Sequence, residues 1–271
     1  MDGILIVIKV NFTFMIYYSF LFFYQRSLIG FIYMNIALVI LVLNERECLE
    51  IVFPKIPKIG ATLAYDQIFA IDGGSTDGTK EFLESKGLQV IHQEGPGKGR
   101  GSAFHLAISK ISADAYIFFS PDGNESIEDL TRFREYLNDG ADIVIASRMM
   151  TESVNEEDKN IIKLRKWANL TFNWLANLIF LKKGSKITDS INGYRAITKD
   201  AFIKLNLDSK DYTIEYQMTI RALRSSMNII EFPTIEGERV AGKTGAPSIP
   251  TGLRFLRLLL KECFIHLQKG N

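Results

Sequence analysis

Histidine and cysteine are scarce in this chain, three of the first and two of the second among 271 residues. His92, His105 and His266 share no motif, and each reads as structural rather than as a metal ligand. Cys48 and Cys263 lie far apart, with neither the spacing of a zinc site nor the framework of a disulfide-stapled domain. That pattern is expected of a reduced, cytosolic compartment. Net charge is nearly absent too: it is +1, with acidic and basic residues interspersed. This removes the electrostatic footprint of nucleic-acid binding. No internal repeat or low-complexity tract is present. With 47% hydrophobic residues, the length suffices for one large α/β domain or two small ones.

The N-terminus departs from this balance. From Ile4 to Leu43 the chain is almost continuously apolar, broken by Lys9, Asn11, Arg26 and a few small polar residues. Ile4–Tyr24 is long enough to span a bilayer, and Lys9 is placed to snorkel to an interface. No small-residue cleavage signature follows, which argues against a cleaved signal peptide. Residues 1–33 are open to three readings: a membrane anchor, an apolar arm packed on the domain or a partner, or an upstream extension before a working chain that starts near Met34.

From there the chain alternates strands and helices. Strand candidates are Asn35–Leu43, Gln67–Ile71, Leu88–His92, Tyr116–Phe119, Asp142–Ala146 and Asn228–Ile235. Between them lie helical stretches at Cys48–Ile56, Gly78–Lys86 (capped by Thr76 or Asp77), a helix ending at Ile111, and Ile127–Asn138. This rhythm means βαβ units and a mostly parallel sheet. Thr151–Asn160 reads as a polar loop, Ile161–Leu181 as a long helix, Asp211–Arg224 as a helix and Glu238–Ala246 as a Gly-rich basic loop. Pro250–Gln268 reads as an amphipathic helix. The division is thus 1–33, a central domain 34–249, and a C-terminal helix 250–271.

The chemistry gathers at strand ends. Ala115–Ser126 (AYIFFSPDGNES) is a buried-type strand that stops at Pro121 and then offers Asp122 and Asn124. Both are oxygen donors of the kind hard cations take, and carboxylates beyond strand C-termini meet ligands in open α/β sheets. Alone, Asp-Gly-Asn is also an ordinary turn. Glu94–Gly101 (EGPGKGRG) lacks both the dinucleotide spacing and the Ser/Thr after Lys98 that a P-loop needs, which disfavours an NAD enzyme.

Taken together, NERE, IDGGSTDGT, GPGKGRG, SPDGN, ASRM and DSINGYRA resemble, in order and spacing from about Asn35 to Lys243, the family 2 glycosyltransferases of the GT-A fold. Among these the chain is similar to the dolichyl-phosphate mannose synthase group. The resemblance implies an α/β, Rossmann-like nucleotide-binding fold with a single catalytic domain. It implies that Asn44, Glu45 and Asp72 hold the base and ribose and that Asp122 and Asn124 hold Mg²⁺ or Mn²⁺ on the donor diphosphate. Lys98, Arg239 and Lys243 join the donor-binding set, the last two from a loop that closes over the phosphates. Arg148, Arg165 and Arg195 match positions that receive an acceptor phosphate. Asp189 matches an acidic position near the acceptor, as a base or as an orienter of Arg195 or the sugar; locally it also reads as a turn cap.

Two positions depart from the family pattern: Gly73 replaces the second aspartate of a DDGS-type turn, and Ser120 replaces the first aspartate of DxD. Fewer carboxylates mean weaker metal affinity and leave the donor open.

The resulting expectation is an inverting, metal-dependent transfer of a sugar from a nucleotide diphosphate (GDP-mannose or a UDP-sugar) to a polyprenyl phosphate. The site of action is the cytoplasmic membrane face, against a membrane surface and without nucleic acid. Ile161–Leu181 and Pro250–Gln268, which combine apolar stripes with Lys and Arg, fit interfacial helices, the alternative being that they pack on the core. No paired hydrophobic spans follow Gln268, so no C-terminal membrane domain is expected. Two rival readings are the same fold acting on a soluble saccharide or small metabolite, and a degenerate, non-catalytic sugar-nucleotide-binding protein.

Overall fold

The chain divides into two units, Met1–Met34 and Asn35–Asn271. The structure, a computed structural model, describes residues 34–58, 64–95, 97–159, 163–241 and 248–269. The apolar extension 1–33 and Lys243 lie outside the described residues.

In the second unit seven strands form one sheet of order β3-β2-β1-β4-β6-β5-β7. They are β1 (Ile36–Val42), β2 (Gln67–Asp72), β3 (Gln89–His92), β4 (Ala115–Phe119), β5 (Ile143–Ser147), β6 (Arg195–Thr198) and β7 (Ile229–Pro233). All neighbours run parallel except β6, which lies antiparallel between β4 and β5. The central strands are apolar throughout because helices cover both faces; every residue of β4 and β5 is buried. The helices are α1 (Arg46–Val52), α2 (Thr79–Ser85), α3 (Arg100–Lys110), α4 (Leu130–Asn138), α5 (Leu164–Phe180), α6 (Lys199–Leu205), α7 (Ile214–Arg224) and α8 (Ser248–Lys269).

Two elements escape the sequence reading. β6 is four residues long, too short to show a period, and sits inside a stretch read only as a motif. α6 follows at once, its N-terminus capped by Thr198 Oγ1, which accepts from the Ala201 backbone N at 3.2 Å.

The glycines of GPGKGRG also have a packing reason. At Gly99 a Cβ would lie 2.5 Å from the Lys210 carbonyl, and at Gly101 one would collide with the Ser209 carbonyl. The start of α3 rests directly on backbone 209–211, with Gly101 N donating to Asp211 O at 3.1 Å. This seats Lys98 and Arg100 at the strand ends.

α5 and α8 each bury one face in a shared cluster with α7, including Phe180, Tyr216, Ile220, Phe255 and Leu258. Each also exposes an apolar stripe. On α5 it is Leu164, Trp167, Leu170, Trp174 and Leu178; on α8 it is Leu253, Leu256, Leu260, Phe264 and Leu267. The spacing puts each set on one side of its helix. The inner face of α5 carries asparagines. Asn177 Oδ1 accepts from Ile187 N at 2.9 Å, Asn173 Oδ1 from Ser190 N at 2.8 Å, and Asn169 Nδ2 donates to Asp189 at 2.9 Å. Among the described residues no helix is long and apolar enough to cross a membrane.

Candidate active site

The C-terminal ends of β1, β2 and β4 open onto a cleft of 650 Å³, lined among others by Asn44, Glu45, Gly73, Lys98, Arg100, Ser120, Asp122 and Arg239. Sheet order explains the gathering: β1 lies between β2 and β4, so loops remote in sequence meet above it.

Each loop is held from below. Asn44 takes a left-handed conformation (φ 56°), which asparagine tolerates. Its Oδ1 accepts from Thr76 N at 2.8 Å, and its own N donates to Ser75 Oγ at 2.9 Å. Asp72 is fully buried beneath the cleft. Its carboxylate accepts from Ser75 N at 3.0 Å and pairs with His92 Nδ1 at 2.9 Å. Asp72 therefore fixes the turn that carries the ligand-facing atoms and does not itself line the cleft.

The β4 turn and the loop after β7 are tied together. Val240 N donates to Asp122 O at 2.9 Å and Gly237 N to Asn124 O at 2.9 Å. This brings Arg239 between two carboxylates: Nη2 donates to both Glu45 oxygens at 2.6 Å, and Nη1 to Asp122 Oδ2 at 3.0 Å. Burial pushes the Asp122 carboxyl above its ordinary range, with Arg239 pulling the other way. Burial also pushes Glu125, next to Asp122, up to about 8, and its Oε2 accepts from Ser120 N at 2.7 Å. Cys48 lies under the same loop, its Sγ donating to Ala241 O at 3.3 Å, and burial pushes its thiol up to about 11.

Among the described residues no three His, Cys, Asp or Glu side chains cluster as a ready metal site. The donors present are those a hard cation shared with a diphosphate takes: the Asp122 carboxylate and Asn124 Oδ1, which is buried without a hydrogen-bond partner. Mg²⁺ binds through one or two carboxylates plus substrate phosphates, so the Asp122 carboxylate in the cleft fits a divalent ion completed by a diphosphate; Asn124 lines the smaller cavity at the same turn.

A second cluster lies behind the β4 turn. Asp189 is fully buried. Arg148 donates to it from Nε at 2.7 Å, from Nη2 at 3.0 Å and from its backbone N at 3.0 Å. Arg148 Nη1 donates to Glu236 at 3.0 Å. Burial alone would raise the Asp189 carboxyl, yet Arg148 and Asn169 hold it below its ordinary range. It is an ionised anchor with its oxygens taken, and not a base poised to accept a proton. Its partner is Arg148, where the sequence pointed to Arg195. Arg148, Asn124, Glu125 and Glu236 share a small cavity of 60 Å³.

Two expected acceptor residues border this cluster without bonding to Asp189 or Glu236 themselves: Arg165 reaches it through Glu156, whose N donates to Glu236 at 3.2 Å, and Arg195 through Ser190 O at 3.2 Å. Arg195 is fully buried under β6. It donates from Nε to Asn192 O at 2.6 Å and from Nη1 to Glu215 O at 3.0 Å. The expectation that it receives a phosphate is corrected: it ties the DSINGYRA turn to α7, and burial lowers its pKa to about 10. Arg165 stands at the start of α5, half exposed and paired with Glu156. Sequence reasoning missed Glu236 and Glu231, whose carboxylate accepts from Asp189 N at 2.8 Å and Thr188 N at 2.7 Å. They lie in stretches without a motif, and only the fold brings them to residues some 40 to 90 positions away.

Residues 37–205 match the family model described as glycosyl transferase family 2. The chain is 30% identical over 171 residues to the glycosyltransferase AglJ of Haloferax volcanii, an alignment covering 63% of this chain and 54% of that protein. It thus spans about half the length of that relative. It is 26% identical over 213 residues to the polyprenol monophosphomannose synthase of Mycolicibacterium smegmatis (73% and 76% covered). To the dolichyl-phosphate hexose transferase of Haloferax volcanii it is 25% identical over 229 residues (84% and 94%). Among solved structures, glucosyl-3-phosphoglycerate synthase from Mycobacterium tuberculosis with Mn²⁺, UDP and phosphoglyceric acid superposes with a TM-score of 0.65 at 19% identity. That superposition covers 85% of this chain and 78% of the other, a likeness of fold.

Proposed function

This chain belongs to glycosyl transferase family 2, and from that premise we propose that it transfers a sugar from a nucleoside diphosphate to a polyprenyl phosphate, at the cytoplasmic face of a membrane. The observation that carries the reading is the meeting of Glu45, Lys98, Asp122 and Arg239 around one strand-end cleft. Names of relatives such as the polyprenol monophosphomannose synthase support the acceptor class.

Lys98 and Arg239 bind the donor diphosphate, while Asn44, Glu45 and the turn held by Asp72 shape the nucleoside end. Asp122 and Asn124 would hold a divalent ion, Mg²⁺ or Mn²⁺, which when bound would supply positive charge for the departing diphosphate. An acceptor phosphate oxygen attacks the anomeric carbon, the bond from that carbon to the diphosphate oxygen breaks, and the nucleoside diphosphate leaves. A single displacement of this kind inverts the anomeric centre. The acceptor is already an anion, so no general base is required, in keeping with an Asp189 whose oxygens are occupied by Arg148 and Asn169. Arg148 anchors Asp189 and Glu236 beside the β4 turn, and Arg165, half exposed at the start of α5 and paired with Glu156, is a cation that an incoming phosphate can reach.

The exposed stripes of α5 and α8 fit a membrane surface. Five large apolar side chains on each helix face solvent, with Trp167 54% and Trp174 61% exposed. Lys163, Arg165 and Lys166 precede or open α5, Lys182 and Lys183 follow it, and Arg257 and Lys261 lie on α8. Interfacial helices combine apolar residues, tryptophan and cations in this way.

The test is nucleotide release from GDP-mannose, UDP-glucose and UDP-GlcNAc, with Mn²⁺ or Mg²⁺, with and without a short polyprenyl phosphate. Lipid-dependent release lost in Asp122→Ala supports the reading. Release that needs only phosphoglycerate or a saccharide points to a soluble acceptor. Nucleotide binding without release under any condition points to a degenerate binding protein.

A further inference from the structure

Arg100 opens α3 and lines the cleft beside Ser120. Its Nη1 donates to Ser120 Oγ at 3.1 Å, and its Nε pairs with the carboxylate of Glu215 on α7. A Cβ at Gly193 would collide with its Nη2, so the guanidinium in this position packs directly on that glycine. Burial works against its charge, but the Glu215 carboxylate beside it keeps it ionised. A guanidinium presents five N–H donors in a fixed fork suited to phosphate oxygens. Among the described residues Nη2 has no hydrogen-bond acceptor.

Position 120 decides how that charge is spent. With serine there, Arg100 (+1), Glu215 (−1) and residue 120 (0) sum to zero. An aspartate would make the trio −1 and claim the fork. Around the cleft wall stand Lys98, Arg100, Arg239 and Arg254 against Glu45, Asp122 and Asp211; with Glu215 behind Arg100 the four cations are balanced by four carboxylates, so a bound diphosphate meets cations without a net negative wall.

We propose that Arg100 binds the donor diphosphate, and that Ser120 frees it to do so, so that the nucleoside diphosphate is held in part by the protein's own cations rather than through a divalent ion alone. The serine that weakens the acidic metal site thus strengthens an anion site one side chain away. This inference rests on the glycosyl-transfer reading and concerns binding.

Titration calorimetry on the full chain, with UDP and GDP as probes in EDTA and in Mn²⁺, tests it. Measurable binding of one nucleotide in EDTA is expected. Arg100→Lys keeps a cation against Glu215 but loses the fork, and should weaken EDTA binding about tenfold. Ser120→Asp leaves Arg100 in place; it should abolish binding in EDTA, and Mn²⁺ should restore it. Should Arg100→Lys fail to fold, the Ser120→Asp arm decides alone. Wild-type binding in Mn²⁺ but none in EDTA overturns the inference and leaves the glycosyl-transfer reading standing. So does EDTA binding that neither variant changes. No binding of either nucleotide in either medium refutes both.

Discussion

Asp189→Asn is the substitution with the clearest arithmetic. The carboxylate accepts three hydrogen bonds from Arg148 and one from Asn169, all with zero solvent exposure at Asp189. Removing one partner of a buried ion pair costs about 3–5 kcal/mol. Asparagine keeps one acceptor oxygen, and Glu236 still neutralises Arg148, so the expected loss is about 2–4 kcal/mol. At about 2–4 °C per kcal/mol for a domain of this size, Tm should fall by about 4–16 °C in thermal unfolding followed by circular dichroism. The pH dependence has a definite sign. The folded-state pKa of Asp189 is depressed, so its stabilisation is complete above the unfolded pKa of about 4 and is lost as pH falls through the folded value. The gap between wild type and variant should therefore close in acid. Loss of a general base lowers turnover by about 10²–10⁴-fold; loss of an anchor in a phosphate-accepting enzyme should lower turnover per folded molecule less than about tenfold. An unchanged Tm would refute the ion-pair argument. A thousand-fold loss of turnover in a fully folded variant would restore Asp189 as the base.

Three further outcomes follow from the same geometry. The double variant Trp167→Ser, Trp174→Ser should reduce co-sedimentation with phosphatidylglycerol vesicles at least about tenfold, since each indole removes apolar area from water at about 25 cal/mol per Å²; unchanged binding would exclude that face as the contact. Glu125 is protonated in the folded chain up to about 8 but ionises near its ordinary value when unfolded, so folding weakens as pH rises between the two. Glu125→Gln, which keeps an acceptor for Ser120 N, should raise stability in urea titrations increasingly as pH rises above about 4.5, most of all in mild alkali, and make no difference below that value. Cys48, with its thiol pushed to about 11 beneath the loop carrying Arg239, should resist maleimide at neutral pH until the protein is unfolded, and rapid native labelling would show that loop open.

Much of this architecture is legible from local sequence, because β1 and β4 are unbroken apolar runs ended by polar turns and strand ends are where an open α/β sheet binds ligands. What escapes depends on packing direction. The periodicity of α5 marks an amphipathic helix, yet a second apolar stripe faces solvent, while its asparagines share the inward side with Ala176 and Phe180. The turn at 187–190 exposes backbone groups that only polar side chains can satisfy. Arg195 lies six residues from Asp189 and invites pairing by proximity in sequence. The antiparallel β6 instead drives its side chain into the core, and Arg148, 41 residues away, takes the carboxylate. Glu236 reaches Arg148 from 88 residues away, and no local pattern encodes that contact.

The central claim is the acceptor. Incubating the full chain with donor carrying a tritiated sugar, a divalent ion and a short polyprenyl phosphate, then partitioning between organic and aqueous phases, measures it directly. Label moving into the organic phase as a lipid-linked monophosphate sugar, dependent on Asp122, is the predicted result. Label that stays aqueous while nucleotide is released onto a soluble phosphorylated acceptor would contradict it.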